Sequence, residues 1–490
     1  MQGYIDSQLS AGKKRIVVPP GRYHVTPREG SHLNFKGLKG VTIVMTGVEM
    51  DCTETVRALS FANCQNVRLK GLTIDYDPLP YTEGRIIGFG PGKSWIEFQV
   101  IEGYPDNVMT GGVEIYDPIA GELRRETGSW DTNFVILGNH RYRIAKPNGY
   151  QFNPKVDTEQ IGDILVANQH SCGMNMDHAV YSTDCRGLKL EDVTIYASPV
   201  FGFLEIRCDD STYLRCRVDR RPPGDDRVQR GLRRFRSLNA DAFHSIEARK
   251  GPAIIDCIAK FQGDDCVNIH GTYYLVLASH GNELRIAVPR QLDIAPGDPV
   301  EFIPYSGQRP PDGKAIKIEQ DESLNAAERE YIQKMPLDEN IRKSLLGAKA
   351  RFFKITLDRP VALSIGSGIC ASGRVGGGCV VKNCDFGYNR SRGIIIKASH
   401  ARVIGNKITH GWMTGVLASP EFFWWLEAGF PDHILIEGNT IIGCHGTGID
   451  VTAPGGDGKP LAPGALTDVI IHGNTISDSP EPHIRVTSEK

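Results

Sequence analysis

Adjacent aspartates occur three times in this chain, at Asp209-Asp210, Asp225-Asp226 and Asp264-Asp265. Turns favour aspartate, so an isolated pair reads as a solvated corner, and Asp225-Asp226 lies in the charged stretch RRPPGDDRVQR. The third pair differs because GDDCVNIHG sets it at the start of an apolar strand. Asp241, in NADAFHS, precedes Asp264 by 23 residues. If that spacing is one turn of a solenoid, the equivalent positions stack about 4.8 Å apart and Asp241, Asp264 and Asp265 share one surface. Gly263 then supplies a bulge that lets neighbouring aspartates face the same way. Three such carboxylates cannot all ionise freely: one pKa rises to make a general acid while another stays charged as a base. Hydrolysis of a glycosidic bond needs that division, one group protonating the leaving oxygen and the other activating water. The rival use of an acidic cluster is a calcium site.

The elements that would position these residues are repeats. Segments such as VRLKGLTIDY, LKLEDVTIYA, AIIDCIAKFQ, ARVIGNKITH, ILIEGNTIIG and VIIHGNTISD share a short apolar strand, then Asn, Cys or Asp, then a β-branched residue. Their closing apolar residues align as Met50, Ile74, Ile195, Val218, Ile258, Phe386, Ile408, Ile441 and Ile476. Periods in the low twenties with alternating Val, Ile and Cys predict an all-β fold, a right-handed parallel β-helix in which like residues stack along the axis. A leucine-rich repeat would carry L-x-x-L-x-L-x-x-N, which is missing. Two stretches break the repeat and read as small antiparallel β-barrel insertions. The predicted organisation is therefore coils over 1–83, an insertion over 84–170, central coils with the aspartates over 171–271, a second insertion with a short helix over 272–364, and terminal coils over 365–490. IVVPPGRYHV reads as the first strand of the helix.

The series Asp241, Gly263-Asp264-Asp265-Cys266 and Gly393-Ile394-Ile395-Ile396-Lys397 resembles the active-site order of polygalacturonases, glycoside hydrolase family 28. That resemblance implies Asp264 as general acid and Asp241 and Asp265 as base. The family's Arg-Ile-Lys is Ile395-Ile396-Lys397 here, and loss of the bidentate arginine argues against an anionic uronate substrate. A broader set of stretches, GLTIDYDPLPYTEGRI, VTIYASPVFGFLE, NADAFHS, GDDCVNIHG and FWWLEAGF, is similar to glycoside hydrolase family 110, exo-acting inverting α-1,3-galactosidases on a β-helix with barrel insertions. It implies release of terminal α-linked galactose without a cofactor or metal. β-Helical hydrolases change substrate by changing loops, so the exact sugar does not follow from the fold.

Further residues are candidates for substrate binding. His244 and His270 follow the aspartates closely, and titratable groups cluster at sites. Trp425 and Glu427 combine an aromatic face with a carboxylate, as sugar sites do; the resemblance favours Glu427 as a ligand. Lys397 and His178 are candidate cleft residues. The alternatives are a β-helical lyase or epimerase, which would use calcium-neutralised carboxylates, and a non-catalytic carbohydrate-binding β-helix.

Charge is balanced, with 56 Lys+Arg against 58 Asp+Glu, so no basic field exists to hold a nucleic acid. No apolar run is long enough to span a membrane. The first residues lack a signal-peptide pattern, which leaves a cytoplasmic protein or a secreted or periplasmic one with its signal removed. The cysteines sit in or beside apolar runs without zinc spacing and are expected as buried thiols. The expected partner is a glycan, and the insertions are also candidate surfaces for a homodimer.

Overall fold

Alternation of apolar side chains folds the chain into coils of three short strands, two joining one large parallel sheet and the third joining another. The computed structural model describes residues 1–106, 113–125, 134–146, 149–168, 177–222 and 233–489. One coil, for example, is Arg402–Ile404, Lys407–Thr409 and Val416–Ala418. The registers Met50↔Ile74, Ile74↔Ile195 and Ile195↔Val218 put these residues in one interior column. Phe386↔Ile408, Ile408↔Ile441 and Ile441↔Ile476 continue it. The column departs from the sequence alignment at one point: Val218 pairs with Ala259, which is buried, while Ile258 pairs with Arg217 and is half-buried. The small Ala259 side chain hid the inward position from an apolarity count.

The corners explain the cysteines. Arg215, Asp256, Asn383, Gly405, Gly438 and Gly473 occupy the left-handed region at equivalent corners, a conformation Gly and Asn tolerate best. Each is followed by an inward polar residue: Cys216, Cys257, Cys384, Asn406, Asn439 and Asn474. The amides take the next side chain as acceptor, with Cys257 N donating to Cys384 Sγ at 3.4 Å, Cys384 N to Asn406 Oδ1 at 3.0 Å and Asn406 N to Asn439 Oδ1 at 2.9 Å. Buried backbone donors at the turn are thereby satisfied. All eleven described cysteines are buried free thiols; Cys172 lies outside the described residues.

The chain opens with a helix, Gln2–Ser10, which the sequence reading did not anticipate, and its Ile5 is buried in the coil core. Strands Arg15–Val17 and Gly21–Val25 follow, both paired to Thr42–Cys52. The first interruption of the coils is a seven-stranded antiparallel sheet from Tyr81–Phe89 to Ile164–Asn168, whose core merges with that of the coils. The second is a closed six-stranded barrel from Tyr274–His280 to Gly368–Ala371, with a separate core. Between its fourth and fifth strands lie two helices, not one: Ala326–Lys334, begun by an Asn325–Glu328 capping box, and Glu339–Leu346, capped by Asp338.

Candidate active site

The site lies on the outer face of the parallel sheet that takes one strand from each coil. In Phe243–Ile246 and Val267–Thr272, alternation sends Phe243, Ser245, Val267 and Ile269 inward and His244, Asn268 and His270 outward. Phe243 pairs with Val267, a spacing of 24, so Asp241 stacks beneath Asp265 and not Asp264. Asp265 N donates to Asp241 Oδ1 at 3.2 Å. Carboxylate oxygens of Asp241, Asp264 and Asp265 nevertheless all lie within 4.8 Å of one another. Gly263 is required for a different reason from the predicted bulge: a Cβ there would stand 2.6 Å from the Asn239 carbonyl oxygen and 3.1 Å from Glu114 Oε1.

Burial separates the three acids. The side chains of Asp241 and Asp265 are 4% exposed and that of Asp264 is 31% exposed. Burial, reinforced by the charges of Asp264 and Glu427, pushes Asp241 well above the usual carboxylate range. Burial likewise raises Asp265 to about 7, against the pull of Arg392.

A second group adjoins the first. His244 Nδ1 lies 2.6 Å from Asp241 Oδ2, and its Nε2 lies 3.0 Å from His270 Nε2. His270 Nδ1 meets the Gly271 carbonyl at 2.6 Å, and its Nε2 stands 3.4 Å from Glu427 Oε1. Burial holds both imidazoles down at about 4. Glu427 arrives from a late coil because Glu427–Ala428 pairs antiparallel with Gly271–Thr272. Lys397, fully buried, bonds Glu427 at 2.7 Å, Glu421 at 3.0 Å and Asn268 at 3.0 Å. Burial acts to raise Glu427, but His270 and Lys397 overcome it and hold the carboxyl well below its usual range.

Six of the nine predicted site residues therefore converge on one surface with Lys397, the seventh. The remaining two stand apart. His178 is buried one layer back, stacked on Phe201 at 5.0 Å, which in turn lies 4.6 Å from His244. Trp425 is 50% exposed on the short helix Phe422–Trp425 that leads into Glu427. Asp209-Asp210 is a corner whose carboxylates meet the Arg249 backbone amide and Lys250, and Asp225-Asp226 falls outside the described residues.

Four contributors were missed: Arg390, Arg392, Glu421 and Glu114. Arg390 Nη2 pairs with Asp264 Oδ2 at 3.0 Å. Arg392 donates its backbone N–H to Asp265 Oδ1 at 2.7 Å, while its guanidinium reaches Asp265 and Glu421. The stretch NRSRG sits one coil beyond QGDD, and that stacking was the available signal. Glu114, on strand Val113–Tyr116 of the first insertion, takes Arg236 at 2.8 Å and stands 3.7 Å from Arg390. The acid trio and the group His244, His270, Glu427 each have ligand atoms close enough for a cation. Arg390, Arg392 and Lys397 already pair with Asp264, Asp265 and Glu427 of these groups.

Residues 355–490 match the protein-family model described as a right handed beta helix region. Two curated relatives are both named alpha-1,3-galactosidase A. That of Shewanella woodyi is 21% identical, over 81% of this chain and 63% of its own length. That of Bacteroides fragilis is 21% identical, over 91% of this chain and 74% of its own length. The chain thus spans less than two thirds of the first relative. Among solved structures, the Streptococcus pneumoniae surface protein and adhesin PfbA is 8% identical, covering 99% of this chain and 83% of that one with a TM-score of 0.39. The protein is a parallel β-helix. It is distantly related, over most of its length, to alpha-1,3-galactosidases.

Proposed function

We propose that the protein is an exo-acting, inverting glycoside hydrolase that releases terminal α-linked galactose from a glycan. The observation that carries this reading is the gathering of three carboxylates within 4.8 Å beside a histidine pair, a glutamate and a lysine. The distant relationship to alpha-1,3-galactosidases supports the substrate class.

In this reading Asp264, the most exposed of the three acids, protonates the departing oxygen. Asp241 and Asp265 hold the attacking water and take its proton. Glu427 binds hydroxyls of the terminal sugar, and Lys397, His270 and His244 hold it in place from behind. Trp425 lines the rim, and His178 supports the wall through Phe201. The guanidinium groups of Arg390 and Arg392 are engaged with protein carboxylates, which favours a neutral sugar over a uronate.

Proton NMR of the anomeric region during incubation with galactose-α-1,3-galactose tests this directly, with and without chelator. First appearance of β-galactose, unaffected by chelator, is expected, and Asp264→Asn should abolish turnover while retaining sugar binding. First appearance of α-galactose would refute inversion. An unsaturated or chelator-sensitive product would move the protein to the lyases.

A further inference from the structure

Donor and acceptor bookkeeping fixes the direction of a hydrogen-bond chain through the site. The Gly271 carbonyl can only accept, so His270 Nδ1 donates to it. A neutral imidazole carries one N–H, which makes His270 Nε2 an acceptor. His244 Nε2, 3.0 Å away, must then be the donor. With His244 also kept neutral by burial, its Nδ1 is an acceptor, and Asp241 Oδ2 at 2.6 Å then holds a proton. Three protons occupy the chain, one on each residue.

The same three protons admit a second arrangement. The Asp241 O–H bond breaks as an N–H bond forms on His244 Nδ1, and the His244 Nε2–H bond breaks as one forms on His270 Nε2. Asp241 becomes a carboxylate and His270 an imidazolium, with no proton gained or lost. The new cation faces Glu427 Oε1 at 3.4 Å. Opposite charge close by in a buried site favours this state far more than it would in water.

We propose that Asp241, His244 and His270 form a proton relay that rests with its mobile proton on Asp241 and passes it to His270 when Asp241 is called on as base. The inference deepens the glycosidase reading and rests on it for the role of Asp241. The relay resolves a conflict within that reading, since a buried Asp241 carrying a proton cannot accept one from water until it has unloaded its own. The charged groups that face the relay are Asp264, Asp265, Glu427, Lys397 and Arg392. Burial of both imidazoles favours the neutral resting arrangement.

Long-range proton–nitrogen NMR of the full chain with nitrogen-15-labelled histidine needs no substrate, and His244→Gln and His270→Gln assign the signals. Near neutral pH, His270 is expected as the Nδ1–H tautomer and His244 as the Nε2–H tautomer, both neutral. A proton on His244 Nδ1, or a doubly protonated His270 at rest, overturns the relay. Kinetically, His270→Gln keeps an amide that can accept from His244 but cannot carry the proton onward. Its kcat should fall by about a hundredfold, within the range for lost acid–base assistance, with KM within about twofold. A raised KM with intact kcat would make His270 a sugar ligand alone and overturn the relay. A wild-type protein inert on α-galactosides would overturn the glycosidase reading, while the expected tautomers would still support the resting chain.

Discussion

Glu114 ties the first insertion to the acid trio, and its replacement by Gln tests that tie. The Glu114 carboxylate accepts from Arg236 Nε at 3.1 Å and from the Tyr116 hydroxyl at 2.7 Å, and it pairs with Arg236 Nη2 at 2.8 Å. Arg236 is fully buried, so neutralising Glu114 removes a carboxylate paired with a buried guanidinium, a change that costs about 3–5 kcal/mol. Arg236 retains the Asn168 and Asn239 side-chain oxygens, which puts the expected cost near the lower end, about 3 kcal/mol. At about 2.1 cal/mol/K per residue, a chain of this length carries about 1 kcal/mol/K of unfolding entropy, so Tm should drop by about 3 °C. The second effect runs through Arg390, which loses the Glu114 carboxylate as a neighbour and shifts relative to Asp264. That partly exposed pair contributes about 1 kcal/mol, and kcat/KM should fall about fivefold. Calorimetric melts and kcat/KM on an α-galactoside measure both effects. Glu97→Gln is the control, because Glu97 pairs with the partly exposed Arg141 and Arg143 in the same insertion and should leave both quantities nearly unchanged. If Glu114→Gln behaves like that control, the insertion does not brace the site and the reasoning is wrong.

Other consequences are as direct. Lys397→Met removes the cation between Glu421 and Glu427, and stability should fall by about 3–5 kcal/mol; adding Glu427→Gln should restore part of it, and failure to recover would show that the pair is not the source. The Asp265 carboxyl, raised to about 7, binds its proton in the folded chain at pH values where the unfolded chain has lost it, so its contribution to stability declines as pH rises from about 4 to about 7. The melting temperature of Asp265→Asn relative to wild type should therefore climb over that interval, and a flat difference would argue that Asp265 is ionised throughout. His244 and His270, held at about 4, act in the opposite sense: stability falls as pH drops from about 6.5 towards 4, because only the unfolded histidines take up protons there. His244→Gln melts followed over the same range should show a weaker acid loss than wild type. The eleven described cysteines should resist a soluble thiol reagent in the native protein and react on denaturation; rapid native labelling at any of them would contradict their burial.

The coils were legible because their inward residues recur in stacked registers, so the column from Met50 to Ile476 could be read from one dimension. It slipped by one residue at Ala259, where the interior position holds a side chain too small to register as apolar. The acid trio was legible for the same reason, since Asp241 and the Asp264-Asp265 pair each stand just before an outer strand of successive coils. What the sequence did not disclose comes from places where contact separates from the repeat. Arg390 and Arg392 lie on a corner 126 and 127 residues beyond Asp264 and Asp265, their respective partners, because the barrel intervenes, although in space the coils are adjacent. Glu114 reaches the site from outside the solenoid, where no periodicity points to it. The absence of Arg from Ile395-Ile396-Lys397 suggested a site short of guanidinium groups, yet two are present and both face carboxylates of the protein itself. An anionic substrate is therefore disfavoured on a different ground: cationic groups line this site, but they are committed to the acids that would perform the chemistry.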